Sequence, residues 1–294
     1  MSSLTHLPAP AKLNLFLHVT GRRSDGYHLL QSVFILIDWA DQLHIEDRAD
    51  GIIRRHDLGP ALPPEDLCIK AARLLQAESG TSHGCDISID KLVPWGAGLG
   101  GGSSDAATVL MALNKLWHLN WPGSKLEQLA IRLGADVPFF LRGRPAWVEG
   151  VGEIITPLTL PADTQNTPLA VLKPPVSVPT AAIFSSPALK RDTKSAIVAD
   201  FLAAPKRFGN NDLQAPAELY SHEVGQALGI MQNRFGNSRM TGSGSAVFSW
   251  VEPGPLGQTI QSFSPADVGL DNSAWVGRLC RGLVQHPLLD WLAV

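Results

Sequence analysis

The chain has 294 residues, and 45% of them are hydrophobic, so it can bury the core of two modest domains or of one large one. A formal net charge of −3 and an isoelectric point near 6.3 exclude the basic surface that is typical of nucleic-acid-binding proteins. No apolar run is long enough for a signal sequence or a bilayer span, so we expect a cytoplasmic protein with no membrane contact.

The first predicted element is a strand over residues 12–19. One face of this strand carries Leu13, Leu15, Leu17 and Val19, and the other carries Lys12, Asn14, Phe16 and His18. A lysine in a strand is usually a solvated edge residue, so the pattern alone gives Lys12 no function. Tyr27 and His28 then follow a turn at Gly26, where ordinary aromatic packing is one interpretation.

A glycine-rich segment lies between the next predicted strand and the next predicted helix. Residues 85–93 alternate as in a strand, and Pro94 ends it. Five glycines follow between Gly96 and Gly102, and a helical spacing of apolar residues comes after them, with possible caps at Ser103, Ser104 or Asp105. Glycines ahead of a helix can aim backbone N–H groups and the positive end of the helix dipole at one point, which is typical of a phosphate site. A flexible linker is the alternative, but linkers seldom join a strand to an amphipathic helix so abruptly.

The surrounding residues argue against three familiar phosphate-binding loops. A P-loop needs a lysine after its glycines, and here Ser103 follows Gly102. A G-x-G-x-x-G fingerprint runs from Gly96 to Gly101, but a nicotinamide-dependent enzyme would next need a second strand. Residues 124–127 instead read as a capping box that opens a second helix, which Gly134 ends. A protein-kinase loop is also disfavoured, since it lies between two strands.

Asp136 is the leading acidic candidate for catalysis. It follows Gly134 and precedes Val137 and Pro138, where another helix can begin. Taken alone, this position is that of an N-cap aspartate. The two interpretations are compatible, because the helix dipole keeps a carboxylate at this place ionised, and an aspartate must be ionised to accept a proton.

The last part of the chain mixes strands and helices without regular alternation, so we predict an α+β fold. A proline-rich stretch at residues 156–179 contains one predicted strand, at residues 169–172, and indicates a crossing between domains. We therefore predict domains over residues 1–157 and 158–294. A polar loop is predicted at residues 185–194, and a tight turn at residues 242–245 precedes a predicted strand at residues 246–250.

Three motifs, in chain order, resemble those of the GHMP kinases, a superfamily of small-molecule kinases. They are Pro-Ala-Lys-Leu-Asn-Leu at residues 10–15, the glycine-rich segment at residues 94–107, and Thr-Gly-Ser-Gly-Ser at residues 241–245. Further matches at residues 22–28, 134–138 and 209–213 narrow the resemblance to members of the non-mevalonate isoprenoid pathway. The resemblance implies a ribosomal-protein-S5-like N-terminal domain, a ferredoxin-like C-terminal domain and an active site in the cleft between them.

The same resemblance implies an activity and a set of site residues. The activity is ATP-dependent phosphorylation of the 2-hydroxyl of a diphosphocytidyl methylerythritol, with Asp136 and Lys12 as the catalytic residues. The implied ATP site comprises Pro94, Trp95, Gly96, Ala97, Gly98, Leu99, Gly100, Gly101, Gly102, Ser103 and Ser104. The implied substrate contacts are Asn14, Tyr27, His28, Thr180 and Phe184, with Tyr27 and Phe184 on the two faces of cytosine. Mg²⁺ is expected with ATP, held mostly by phosphates and water, with the hydroxyls of Ser103 and Ser104 as candidate contacts, and we assign it no protein ligand.

Three other functions remain open at this point. A homoserine or mevalonate-type kinase would share the glycine loop, but a small substrate without a base has no need of Tyr27, His28 and Phe184. A nucleotide-binding module without catalysis is disfavoured by the presence of both Lys12 and Asp136. A nicotinamide oxidoreductase is weakened by the missing second strand. We expect a small-molecule substrate and a monomer or homodimer in every case.

Overall fold

Two β-sheets and the helices packed on them make up residues 2–254, 260–270 and 274–292, which the computed structural model describes. The first sheet contains β1 (Ser3–Arg22), β2 (His28–Arg48), β3 (Ile53–Asp57), β4 (Gly84–Asp90), β5 (Ala146–Gly150), β6 (Ile154–Pro157) and β11 (Gly282–Leu283). The second contains β7 (Leu169–Lys173), β8 (Arg239–Met240), β9 (Val247–Trp250) and β10 (Val276–Cys280), in the order β10-β7-β9-β8. The predicted α+β class is confirmed.

The antiparallel hairpin of β1 and β2 organises the first sheet. β1 covers one edge of β2, and the other edge pairs in turn with β5, β11 and β4, through residues 30–34, 36–37 and 42–48 of β2. Every side chain of β1 from Ala9 to Val19 is buried. The strand is therefore confirmed, but Lys12 is not a solvated edge residue, because protein covers both faces of β1.

Four helices cover this sheet: α1 (Leu67–Ser79), α2 (Gly101–Leu116), α3 (Gly123–Leu133) and α4 (Val137–Arg142). α2 is buried on all sides, and from Ser104 to Asn114 no residue is more than 3% exposed. A helix that is apolar all round belongs in the middle of a core. Burying side chains such as Leu110 and Met111 contributes roughly 1.5–3 kcal/mol each. This packing fixes the start of α2 against β1.

Five more helices lie in the second half of the chain: α5 (Ala162–Asn166), α6 (Thr180–Ser185), α7 (Val198–Ala203), α8 (Gln214–Tyr220) and α9 (His222–Phe235). α9 packs on β7 and β9 of the second sheet. α9 buries one face, because Val224, Ala227, Leu228 and Met231 recur at helical spacing. Two 3₁₀ turns, Pro265–Val268 and Leu289–Leu292, lie near the end of the chain. Within the described ranges, no helix is both long and apolar enough to cross a membrane.

The order strand, glycine loop, helix is confirmed by β4 and α2, and α3 follows α2 directly. No strand comes between these helices, so the segment is not a dinucleotide-binding unit. The strands predicted at residues 169–172 and 246–250 are confirmed as β7 and β9. The helices α1 and α5 to α9 were not predicted individually.

Two predicted helix caps are wrong. Gly100 occupies the N-cap position of α2, so Ser103, Ser104 and Asp105 lie inside the helix instead of capping it. α3 begins directly after Pro122 without a side-chain cap, so Ser124 lies inside that helix. The predicted capping box therefore does not form, and Glu127 instead binds Arg142 of α4 at 2.6 Å.

Candidate active site

The three sequence motifs meet at one place in the structure. The Lys12 N–H of β1 donates to the carbonyl of Leu99 at 2.9 Å, which ties the first motif to the glycine loop. The N–H groups of Ser245 and Ala246 donate to the carbonyls of Gly96 and Ala97 at 3.2 and 3.1 Å. Backbone hydrogen bonds thus hold the glycine loop between β1 and the loop at residues 241–245.

Two glycines of the loop are required by the fold itself. Gly98 and Gly100 have φ angles of +73° and +72°, which disfavour any residue with a Cβ. A Cβ at Gly98 would also lie 2.3 Å from the carbonyl oxygen of Thr241, and one at Gly100 would lie 2.9 Å from Cζ of Phe140. These positions let the loop pass tightly between its neighbours and turn into α2.

The first turn of α2 presents backbone donors at the end of the loop. The first helical hydrogen bond runs from the Ser104 N–H to the carbonyl of Gly100 at 3.0 Å. The N–H groups of Gly101, Gly102 and Ser103 precede it and need partners from outside the helix. Ser104 differs from its predicted role, because its hydroxyl donates to the carbonyl of Pro10 at 2.7 Å and both of its donors are used within the protein.

A buried ionic cluster that the sequence analysis missed supports this turn. The Lys91 ammonium donates to the carboxylates of Asp41 and Asp105, the latter at 2.6 Å. Asp41 also accepts the N–H groups of Leu92 and Val93, both at 2.7 Å. Burial raises the pKa of Asp105 well above its usual range, and the adjacent Asp41 adds to this against the effect of Lys91. The cluster thus ties α2, through Asp105, to the segment that follows β4.

Lys12 projects from β1 toward Asp136. Its ammonium donates to Oδ1 of Asn14 at 2.6 Å and lies 3.9 Å from Oδ2 of Asp136, and the side chain is 5% exposed. The ring of Phe34 lies beneath it, 4.9 Å from the ammonium to the ring centroid. Burial lowers the pKa of Lys12 from its usual value, while Asp136 acts in the opposite direction.

Asp136 immediately precedes α4, as the sequence predicts. It occupies the N-cap position, but its side chain makes no capping hydrogen bond. The side chain is 35% exposed and faces the Lys12 ammonium. Because the carboxylate is not used by the helix, it can accept a proton from a group in the cavity.

Asn14 is part of a buried network around Lys12. Its amide Nδ2 donates to the hydroxyl of Ser32 at 2.9 Å, and its Oδ1 accepts from Lys12 and, at 3.3 Å, from the hydroxyl of Thr241. The Asn14 N–H also donates to the Thr241 hydroxyl at 2.9 Å. Most of the hydrogen-bonding capacity of Asn14 therefore serves to orient Lys12, and one N–H of the amide is left for a ligand.

Most of the predicted site residues line one cavity of about 950 Å³. They are Lys12, Asn14, Tyr27, His28, Gly96, Gly98, Gly100, Ser103, Asp136, Thr180 and Phe184. A second cavity, of about 500 Å³, shares Gly96, Gly98, Gly100 and Ser103 with the first. The other predicted residues on its wall are Pro94, Trp95, Ala97, Leu99, Gly101 and Gly102. The glycine loop thus borders both cavities, and Ser104 lines neither of them.

Aromatic and polar residues gather at the end of the larger cavity. The ring of Tyr27 is 65% exposed, while the ring of Phe184 packs on that of His28 with centroids 5.0 Å apart. The hydroxyl of Thr180, at the start of α6, is 2.8 Å from that of Ser243. The cavity also holds Arg22 and Asp25, which lie in the matched motif at residues 22–28, and Arg191, which no local sequence signal identifies.

Among the described residues, no group of three or more histidine, cysteine or acidic side chains is placed to hold a metal ion.

Comparisons with known proteins agree with this geometry. Residues 66–144 match the N-terminal domain of the GHMP kinases. The chain is 59% identical over 291 residues, covering 99% of each chain, to 4-diphosphocytidyl-2-C-methyl-D-erythritol kinase of Methylibium petroleiphilum. It is also 34% identical to a crystal structure of 4-(cytidine 5'-diphospho)-2C-methyl-D-erythritol kinase, with a TM-score of 0.75 over 96% of this chain and 100% of that chain. Mevalonate kinase of Methanococcus jannaschii shares the fold at 13% identity, with a TM-score of 0.67 over 96% of this chain and 98% of that chain.

Proposed function

The chain belongs to the 4-diphosphocytidyl-2-C-methyl-D-erythritol kinases of the GHMP kinase superfamily, and from that membership we propose how its two cavities carry out the reaction. The enzyme transfers a phosphoryl group from ATP to the 2-hydroxyl of 4-diphosphocytidyl-2-C-methyl-D-erythritol, on the non-mevalonate route to isoprenoid precursors. One observation carries the proposal. An ammonium and a free carboxylate, Lys12 and Asp136, lie 3.9 Å apart in a cavity that the glycine loop joins to a second cavity.

ATP binds on the side of the second cavity. The base and ribose lie between residues 62–67 and Trp95, which is 48% exposed and offers a ring face to a purine. The phosphates lie at the start of α2, where the N–H groups of Gly101, Gly102 and Ser103 point out of the helix. The γ-phosphate reaches the larger cavity from there, because Gly98, Gly100 and Ser103 line both cavities.

The chemistry of the transfer is assigned to two side chains. Asp136 accepts the proton of the 2-hydroxyl as that oxygen attacks the γ-phosphorus. Lys12 stabilises the negative charge that develops between the attacking oxygen and the phosphoryl group, and it also holds Asp136 in place. Asn14 keeps the Lys12 ammonium directed at this point through its 2.6 Å hydrogen bond.

Mg²⁺ bound with ATP would neutralise charge on the β- and γ-phosphates. The residues present fit a cation held mainly by phosphate and water, since the larger cavity offers Asp136 as a partly exposed carboxylate and Ser103 as a hydroxyl. We assign no side chain as a permanent ligand.

The second substrate occupies the larger cavity. Its cytosine lies between the rings of Tyr27 and Phe184, with His28 at the polar edge of the base. Thr180 and the remaining N–H of the Asn14 amide bind the erythritol diphosphate end. We further propose that the chain divides into domains at residues 157 and 158 and that the enzyme works in the cytoplasm.

Release of ADP from ATP tests this assignment directly. The full-length enzyme with Mg²⁺ should release ADP when 4-diphosphocytidyl-2-C-methyl-D-erythritol is added, and the product should carry the new phosphate at the 2-position by ³¹P NMR. Homoserine and mevalonate at equal concentration serve as controls and should give no ADP above background. Equal turnover of mevalonate would contradict the substrate assignment.

Two glycine substitutions separate a phosphate contact from a packing requirement. A Cβ at Gly102 has space in the free protein, with Leu67 as its nearest neighbour at 3.8 Å, so Gly102→Ala should leave the melting temperature unchanged or slightly raised. Crowding of the phosphates by the new methyl group should weaken ATP binding about 5- to 150-fold, as expected for ~1–3 kcal/mol of overpacking. Calorimetric titration with ATP and a thermal melt of the free protein measure the two effects.

Gly101→Val is the matched comparison for Gly102→Ala. Its Cβ would lie 3.2 Å from Val93 and 3.3 Å from the Lys91 ammonium, so valine should disturb the buried cluster and lower the melting temperature. Normal ATP affinity in Gly102→Ala would show that the phosphates do not approach the first turn of α2.

Tyr27→Ala tests the cytosine site with little risk to the fold, since most of this ring is exposed. Loss of the stacking ring should weaken binding of the cytidine substrate by ~1–3 kcal/mol, about 5- to 150-fold in Kd, and leave ATP affinity unchanged. Tyr220→Ala, a half-exposed tyrosine of α8 outside both cavity walls, is the control. Weaker ATP binding with normal cytidine-substrate binding in Tyr27→Ala would reverse the assignment of the two cavities.

A further inference from the structure

Arg191 links the segment that contains His28 to the segment that contains Phe184, and both of these aromatic residues line the larger cavity. It lies in the loop between α6 and α7, and its Nε donates to Nε2 of His28 at 3.1 Å. The same guanidinium donates to the carbonyls of Phe184 at 3.0 Å, Ser186 at 2.9 Å and Leu189 at 2.9 Å. All four acceptors are uncharged, so this side chain cross-links backbone and imidazole instead of forming an ion pair at these contacts.

The contact with Arg191 determines which nitrogen of His28 carries the proton. A guanidinium N–H can only donate, so Nε2 of His28 must be the acceptor and the neutral ring must carry its proton on Nδ1. Burial, Arg191 and Arg22 of β1 all lower the pKa of His28. The carboxylate of the same turn, Asp25, pairs with Arg23 and accepts the N–H of Tyr27. His28 is therefore a neutral residue whose available ring donor is Nδ1–H.

Arg191 also fixes the surroundings of this donor. Phe184 packs its ring on His28, and the carbonyl of Phe184 is bound by the same guanidinium that binds the imidazole. Both residues line the larger cavity. One side chain thus sets the tautomer of His28 and the position of Phe184 beside it.

We propose that Arg191 is a positioning residue for recognition of the cytosine base, which it achieves by holding His28 as an Nδ1–H donor next to the ring of Phe184. This proposal rests on the proposed function of the cavity. Cytosine offers two acceptors, O2 and N3, on its polar edge, and a fixed N–H donor complements either of them. Without Arg191 the neutral imidazole can place its proton on either nitrogen, and the Nε2–H form presents a lone pair where a donor is needed.

The pH dependence of binding distinguishes this role from a merely structural one. The experiment compares Arg191→Met with the wild type by calorimetric titration of CDP at about pH 8 and about pH 5.5, on either side of the ordinary histidine pKa of about 6.5. At the higher pH the variant should bind CDP about fivefold or more weakly, which is the value of one hydrogen bond. At the lower pH the ratio of the two Kd values should approach one, because protonated His28 carries N–H groups on both nitrogens. Taking the ratio at each pH cancels the titration of CDP itself.

Two further measurements keep the proposal testable if the loop rearranges in the variant. Long-range ¹H–¹⁵N spectra should show His28 protonated at Nδ1 in the wild type and as a tautomer mixture in Arg191→Met, with the signal assigned from His28→Asn. Asparagine places an amide N–H near the position of Nδ1, so adding Arg191→Met to His28→Asn should cost little further CDP affinity. Lys190→Met, at the exposed neighbouring position, should bind CDP as the wild type does.

A loss of CDP affinity that is equal at both pH values would overturn the proposal and indicate a direct contact with the diphosphate or a collapsed loop. Additive losses in the double variant, or an Nε2–H tautomer in the wild type, would also overturn it. The ADP-release assay on the wild type separates these outcomes from a failure of the proposed function. If the wild type releases ADP with the cytidine substrate, the proposed function stands and only the role of Arg191 is overturned.

Discussion

Replacing Asp136 with asparagine is expected to lower kcat by ~10²-fold or more, with little change in ATP affinity. The change keeps the size of the side chain but removes the carboxylate that we propose accepts the proton of the 2-hydroxyl. The fold should tolerate it, because the carboxylate makes no capping hydrogen bond to α4 and is 35% exposed. Steady-state kinetics with both substrates and calorimetric titration with ATP give the two quantities.

Asp163→Asn is the matched control for this substitution. Asp163 lies in α5 with an exposed side chain outside both cavity walls, and it pairs with Lys206 at 3.6 Å. The same chemical change there should leave kcat unaltered. Turnover of Asp136→Asn within a few-fold of the wild type would show that the reaction does not need the Asp136 carboxylate as a base.

Local patterns are sufficient to predict β4, α2, α3 and the glycine loop. Each of these elements has a recognisable periodicity, and Gly134 marks the end of α3 as predicted. The strand predicted to run to Pro94 is shorter, because β4 ends at Asp90. The loop is recognisable because the backbone at Gly98 and Gly100 adopts a conformation that glycine favours. The caps were not predictable in the same way, since Ser103, Ser104 and Asp105 all have cap-forming side chains, yet each is drawn into the core or the cavity wall.

Contacts between distant segments account for what the sequence does not reveal. Lys91 meets Asp41 and Asp105, which lie 50 and 14 positions away, and no spacing rule connects them. Arg191 reaches His28 across 163 positions. Lys12 lies on a strand that would be half exposed in an open sheet, and its burial depends on the glycine loop and α2 packing against β1.

Two buried ionic groups among the described residues differ in their consequences. In the cluster of Lys91, Asp41 and Asp105, the opposite charges lie within hydrogen-bonding distance, which is the arrangement expected of a structural group. Lys12 has a carboxylate only at 3.9 Å and has its pKa lowered by burial. A buried lysine without a carboxylate in hydrogen-bonding contact lowers the stability of the fold. Residues with such a cost and a shifted pKa are characteristic of functional sites.

Replacing Lys12 with methionine is therefore expected to separate activity from stability. The loss of the ammonium should lower kcat and kcat/KM together by ~10²–10³-fold, as is typical when one electrostatic stabiliser of the transition state is removed. The melting temperature should stay the same or rise, because methionine fills the space without a buried charge and the Oδ1 of Asn14 keeps its contact with Thr241. Lys70→Met, at an exposed position of α1, is the control and should change neither quantity.

The pH profile gives an independent check on the role of Lys12. The active form is the charged ammonium, so activity should be lost as the pH rises through the pKa of Lys12. Because burial lowers that pKa, the loss should occur at a lower pH than an ordinary lysine would give. Asp136 acts to raise the pKa of Lys12, so the residual activity of Asp136→Asn should be lost at a still lower pH. The alkaline loss assigned to Lys12 should be absent from the residual activity of Lys12→Met.

Lys12→Arg should not restore the activity that methionine removes. The planar guanidinium is larger than an ammonium, and a Cβ on Gly100 would already lie 3.1 Å from Cγ of Lys12, so the side chain has little room to move. The carboxylate of Asp136 and the amide oxygen of Asn14 both face one ammonium nitrogen. Arginine would donate instead from several nitrogens in a fixed plane, which does not match these two partners. If Lys12→Met instead raised only the KM for ATP and left kcat unchanged, the lysine would be a contact to bound ATP. Stabilisation of the transition state would then have to come from the glycine loop and the bound cation.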